Sequence, residues 1–456
     1  MRTTVTQTCV LLLALLSSFG GCAVDPSPEF DVVRGRVEDR TSATLLWERE
    51  ESDLERLRSL KSELLADGVT RAEAVQIALY DNRRVQAALE EVGIAKSNLV
   101  QSRLLSNPSA DALLRFPIDG GRDVLESGLL GFLSDLWIVP IRSSMQEHAT
   151  AAALRHVESS IVDVATEATQ AYDRVLYSQG VAEIASAHLG LAEDTLLRLK
   201  VRYSSGVATA LEVHEAEAAA ASGQVELARA ERDLRRGRAK LLAILNLDDA
   251  RQELHLADGL EAATLPALDL EQALNVALEQ RLDLARLEAG IELADWQVTL
   301  AKARVFDRVQ VGVGQEGVID GQHELGPMIS LELPVFDQNQ AQIAKARYRL
   351  RQQRKLLQAA RVEARFQIAS LLAEIAFRDQ HLETWDSRES PALEKAVEFA
   401  VVHAKRMRLD YLHVLGARAN YLNARRTALE SRWRLRFALA ELERSIRGGG
   451  SQIAGG

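Results

Sequence analysis

Thr70–Ala95, TRAEAVQIALYDNRRVQAALEEVGIA, has a counterpart in Leu268–Ala294, LDLEQALNVALEQRLDLARLEAGIELA. Ala74, Ala78, Leu79 and Val85 correspond to Ala273, Ala277, Leu278 and Leu284, an offset of 273 − 74 = 199. Further along, YSSGVATALEV (Tyr203–Val213) meets AKRMRLDYLHV (Ala404–Val414), with Leu211 on Leu412 and Val213 on Val414, an offset of 201. Two registers this close, more than a hundred residues apart, indicate one duplicated unit. The copies are read as residues 69–247 and 268–447, joined by a connector at 248–267 and followed by a flexible tail at 448–456.

Each copy opens on a helical pattern. Thr70 is a helix cap with Glu73 three residues on, and the helix from Arg71 is expected to run toward Leu104 before Asn107-Pro108 stops it. Ser109–Phe116 then alternates, with Ala110, Ala112, Leu114 and Phe116 on one face and Asp111 and Arg115 on the other. IDGGRDVLESG supplies turn chemistry, and Leu129–Ile141 is a second extended candidate ending near Pro140. In the second copy Val309–Val313 and Ile329–Leu333 alternate on either side of the loop EGVIDGQHELGP. The strand pairs thus fall at about 108–141 and 308–334.

After each pair the pattern returns to helix for about sixty residues, roughly 90 Å at 1.5 Å per residue. Gly206 allows a reversal in the first copy, and a turn near Arg406–Leu409 answers it in the second. Pro391 predicts a break or kink in the second long helix. The helices beyond the turns carry strict heptad ladders: Val213, Ala220, Leu227, Leu234, Leu241, and Val414, Tyr421, Ala428, Leu435, Leu442. A sustained heptad marks a coiled-coil seam.

Composition agrees with a mainly α chain: hydrophobic residues are 47% but aromatics only 5%, so Ala, Leu and Val supply the apolar share. The net charge of −10 excludes a nucleic-acid footprint. Met1-Arg2 followed by CVLLLALL (Cys9–Leu16) reads as a signal peptide over 1–21. Phe19-Gly20-Gly21-Cys22 resembles a lipobox. Cys22 is the only cysteine left after cleavage, which favours lipid attachment there over a disulfide. Residues 22–68 form the lipidated segment, irregular around Pro26 and Pro28 and helix-like from Leu45 to Gly68. Beyond the signal no run of eighteen apolar residues occurs, so a membrane can be crossed only by strands in a closed barrel. Four strands cannot close one, since about eight is the minimum; the chain must oligomerise if they sit in lipid.

The paired AxxxAL segments, GIAKSNLVQSRLLSNP (Gly93–Pro108), LELPVFDQNQAQIAKA (Leu331–Ala346) and YSSGVATALEV together resemble the TolC family of outer-membrane efflux channels, over residues 69–445. The resemblance implies a trimer whose protomers each add four strands to one barrel, with a helical tube in the periplasm. It implies a lipid-anchored outer-membrane location and two partners, a periplasmic adaptor and an inner-membrane pump. The nine histidines are scattered, with no HExxH, CxxC or GxSxG, so no catalytic residue, metal or cofactor is expected and the chain reads as a passive conduit. A coiled-coil adaptor or a structural lipoprotein is the alternative, against which the duplicated strand pairs count. In the family, the helical turns at the tip form a gate that acids of the second copy narrow. His413 and Gly416 stand at those positions here, while Glu212 and Glu215 of the first copy, with Asp410, supply the acids. Gly206 and Met407 mark the two tip turns.

Overall fold

The computed structural model describes residues 24–116, 118, 120–247, 254–260, 270–318, 321–406 and 409–446. Cys22, Met407, the signal peptide and the tail lie outside them. The chain divides into two compact units, each assembled from several stretches of sequence.

The N-terminal segment departs from expectation. Ser27–Thr41 (α1) is helical, whereas 42–50 is irregular before Glu51–Leu64 (α2). Pro28 sits at the second helical position, where a missing N–H costs nothing, so the prolines start this helix instead of preventing one. Three arginines, Arg36, Arg40 and Arg155, surround the fully buried Glu158, with Arg40 Nε at 2.8 Å. A buried carboxylate needs such partners.

The expected single helix from Arg71 is two: Arg71–Asp81 (α3) and Arg83–Ser102 (α4), separated by Asn82 at ψ 121°. The capping box at Thr70 and Glu73 is present. The break follows from the buried Asn82 side chain. Its Oδ1 accepts from Arg84 N at 2.9 Å, capping α4, and its Nδ2 donates to Ile244 O at 2.7 Å. That carbonyl belongs to the last residue of another helix and has no partner within it.

Ser109–Arg115 (β1) and Val124–Phe132 (β2) follow, then a single 70-residue helix, Asp135–Ser204 (α5). The extended segment expected to reach Ile141 therefore ends at Phe132, and Pro140 lies inside α5. Asp135 fixes the switch: its carboxylate accepts from Ser106 N at 2.6 Å and from Ser106 Oγ at 3.1 Å. Ala210–Ile244 (α6) closes the first half.

The second half repeats the order. Leu270–Gln280 (α7) and Leu282–Ala303 (α8) are broken at Arg281, and a 3-10 turn leads to Val309–Val318 (β3) and His323–Leu331 (β4). Most of the stretch read as loop is strand, and Gly321 N donates to Val318 O at 2.9 Å between the two. Gln340–Thr384 (α9) continues through a π-turn at Trp385–Glu389 into Ser390–Lys405 (α10), so the irregularity at Pro391 takes the form of a widened turn just before it. Tyr411–Ile446 (α11) is last.

The four strands, all in one of the two units, form one antiparallel sheet in the order β1-β2-β3-β4, so β2 of the first half pairs with β3 of the second. Every cross-strand partner shares a face with its opposite. The helical unit is held by the heptad stripes. Val213, Ala220 and Leu241 are buried in one helix, and Val414, Ala428, Leu435 and Leu442 in the other. Leu435 and Leu442 join Ala273, Ala277, Ile368, Ile375 and Leu382 in a continuous core.

Candidate functional site

Two features concentrate chemistry: the faces of the sheet and the turns that end the long helices.

Register assigns each strand residue a face. Ala110, Leu129, Val313 and Pro327 are successive partners across the four strands, as are Val311 with Ile329 and Val309 with Leu331. This face is mainly apolar and bare, with Ser127, Gln315 and His323 interrupting it toward one end; Leu129 is 56% exposed, Ile329 and Leu325 75%. On the opposite face Glu126, Glu316 and Glu324 stand side by side on β2, β3 and β4. With Asp111 and Met328 they line a shallow cavity. Arg115 pairs with Glu126 at 2.6 Å. Like charges on directly opposed residues are unfavourable, so this face requires water. β1 and β4 are the sheet's two ends, each with one row of unsatisfied backbone groups.

In the helical unit, α5 ends at Ser204 and the chain reverses at Gly206, whose φ of +73° favours glycine. Val207 N donates to Arg202 O at 2.8 Å, closing the helix end. Thr209 then caps α6 in a capping box: its N–H and hydroxyl donate to Glu212 Oε2 at 2.6 and 2.9 Å. Those bonds, the backbone one first, hold the Glu212 carboxyl below its ordinary pKa. Glu212 is therefore first a structural cap, although its carboxylate stays in solvent. Glu215 and His413 are exposed on the first turns of α6 and α11.

Asp410 has the most partners of the expected acids. It caps α11, accepting from Leu412 N at 3.1 Å, and its other oxygen pairs with the Arg202 guanidinium of α5. The Leu412 bond and then Arg202 lower its pKa. One helical turn back, the Arg198 guanidinium lies over the Tyr411 ring at 3.6 Å. Beneath these contacts Leu199, Val213 and Ala216 pack with Leu412. The four expected tip residues thus do not form one carboxylate cluster. The structure joins Asp410 to Arg202 and Tyr411 to Arg198, and these arginines went unnoticed in the sequence. Their four-residue spacing, which places both on one face of α5, was the available signal.

Among the described residues, no group of three or more His, Cys, Asp or Glu is arranged to hold a metal ion. No described helix is long and apolar enough to cross a membrane.

No family model matches the chain. It is 21% identical over 366 residues to the cobalt-zinc-cadmium resistance protein CzcC of Cupriavidus metallidurans, covering 79% of this chain and 85% of that protein. Among solved structures it resembles the outer membrane protein VceC of Vibrio cholerae, with a TM-score of 0.66 and 20% identity over 83% of this chain and 96% of that one. The open MtrE outer membrane channel of Neisseria gonorrhoeae superposes with a TM-score of 0.66 at 20% identity, over 83% of this chain and 88% of that one. The fold is that of a protomer of the TolC-type outer-membrane channels: mainly α, with a small four-stranded sheet.

Proposed function

We propose that this protein is the outer-membrane channel of a tripartite efflux system, a trimeric passive conduit fed by a periplasmic adaptor and an inner-membrane pump. The sheet carries the reading. It bares a mainly apolar face, sets acids on the other, and leaves two edges unpaired. Such a sheet is stable in lipid only when its edges meet those of other copies in a closed barrel, apolar side outward. The fold likeness and the relation to CzcC support the same assignment. The chain is then two copies of one unit, 69–247 and 268–447, exported by residues 1–21 and anchored by lipid on Cys22, with the helical part in the periplasm.

The contacts of Arg202 with Asp410 and Arg198 with Tyr411 make the turn region a latch that holds the end of α5 to the start of α11. Glu212 and Glu215, both exposed, bias the entrance toward cations, and His413 stands exposed on the first turn of α11. The test is reconstitution of the purified mature protein in planar bilayers, with mass measurement of the detergent-solubilised particle. A trimer giving discrete ion conductance is expected. A monomer that neither associates nor conducts would overturn the reading and favour an adaptor or structural lipoprotein.

A further inference from the structure

We propose that the first turns of α9 bind anionic phospholipid headgroups on the periplasmic side of the outer membrane. This rests on the channel reading above, in which the sheet lies in lipid.

Between Asp337 and Glu363 the chain has no acid, although its net charge is −10. Over the same interval Lys345, Arg347, Arg349, Arg351, Arg354 and Lys355 follow one another within three helical turns. All six are exposed. Among the described residues none of the six is ion-paired with a carboxylate, whereas Arg361, the next cation, is held by Glu288 at 2.8 Å. Buried Ala346, Leu357 and Ala364 mark the packed side of the helix. Arg347, Arg351 and Arg354, at i, i+4 and i+7, share one open flank.

The fold itself does not ask for this charge. Two hundred residues earlier, the matching stretch Met145–Arg155 of α5 has one arginine, Arg155, and one acid, Glu147. Position supplies the partner. β4 ends at Leu331 and α9 begins at Gln340; between them Leu333, Val335 and Phe336 are 69%, 65% and 93% exposed. Apolar and aromatic side chains at the end of a membrane strand suit the lipid interface. A basic run immediately beyond suits the negative surface that anionic lipids create. Tyr348 adds an amphipathic ring, with the Arg351 guanidinium at 4.4 Å from its centroid.

The experiment titrates phosphatidylglycerol, phosphatidylcholine or inorganic phosphate into the mature full-length protein in neutral detergent, following bound lipid by native mass spectrometry. Phosphatidylglycerol should bind at least about tenfold tighter than phosphatidylcholine, and about 0.5 M salt should erase most of the difference. The triple variant Arg347→Gln, Arg351→Gln, Arg354→Gln should weaken phosphatidylglycerol binding on the order of 100-fold, about fivefold per cation removed. Lysine at the same three positions should preserve it. Equal binding of both lipids, or a triple variant that keeps the preference, overturns the proposal. So does displacement of the lipid by equimolar inorganic phosphate, which would indicate a free-anion site. A triple variant that alters pore ion selectivity with lipid preference intact places the cations in the lumen and also refutes it. Pores without lipid preference defeat this inference alone; a protein that forms no pores defeats the functional reading beneath it.

Discussion

Asp410→Asn tests the latch with little collateral damage, because asparagine caps a helix as well as aspartate does and only the charge is lost. Arg202 and Asp410 are 36% and 34% exposed, so solvent screens their pairing and its loss costs about 1 kcal/mol. Three protomers opening together would sum to roughly 3 kcal/mol, a shift of about 150-fold in the ratio of closed to open channels. In planar bilayers the variant should show longer and more frequent open events than the parent, and high salt should bring the two closer. Acidity should act in the same direction. The Asp410 carboxyl titrates below its ordinary value in the folded protein, so its stabilisation is complete above the ordinary carboxylate pKa and disappears as pH falls through the depressed one. Parent conductance should therefore stay flat from about pH 8 to pH 5 and rise only in stronger acid. Open probability unchanged by Asp410→Asn, or unchanged by Arg202→Gln, would refute the latch.

Leu331→Arg, on the apolar face of β4, should cost a few kcal/mol and reduce assembled trimer on gels, whereas Glu332→Leu should assemble normally; two normally assembled variants would exclude this strand from the barrel. Gly206→Val, forced to φ +73° with open space around its Cβ, should lower the thermal midpoint through backbone strain alone, by about 1–2 kcal/mol of stability, and a midpoint equal to the parent's would contradict the left-handed turn. Glu212→Gln combined with Glu215→Gln keeps the capping box, since glutamine also serves at that position; cation preference should drop, and unchanged selectivity would mean these groups face away from the entrance. Mass spectrometry of the mature N-terminus should find a diacylglyceryl group on Cys22, and an unmodified terminus elsewhere would end that proposal.

Periodicity made the architecture legible. Heptad positions such as Leu241 and Leu435 are buried because an apolar residue every seven keeps one stripe turned toward a neighbour. Alternation found β1 and the outer parts of β3 and β4, but β2 lies at Val124–Phe132 rather than Leu129–Ile141, and the inner ends of β3 and β4 fall in the stretch read as loop. What escaped the sequence depended on single side chains finding distant partners. Asn82 breaks a helix because Ile244, 162 residues on, offers a bare carbonyl. α1 is mostly polar and forms against Glu158, a partner that no local pattern reveals. The tip acids had the right composition, but an exposed carboxylate serves equally as cap, latch or pore charge. The Thr209-x-x-Glu212 spacing is the capping signature read at Thr70 and Glu73 and already pointed to a cap, whereas only geometry showed Asp410 as a partner of Arg202.

The one-residue helix breaks also carry a chronology. Arg281 interrupts α7 and α8 where Asn82 interrupts α3 and α4, and the two lie 281 − 82 = 199 residues apart, the offset of the repeated sequence itself. If the halves descend from one duplicated unit, the joint was already in that unit. The π-turn at Trp385–Glu389 interrupts only the second long helix, while α5 runs unbroken. The two halves have therefore diverged at this point, one keeping a straight helix and the other a widened turn.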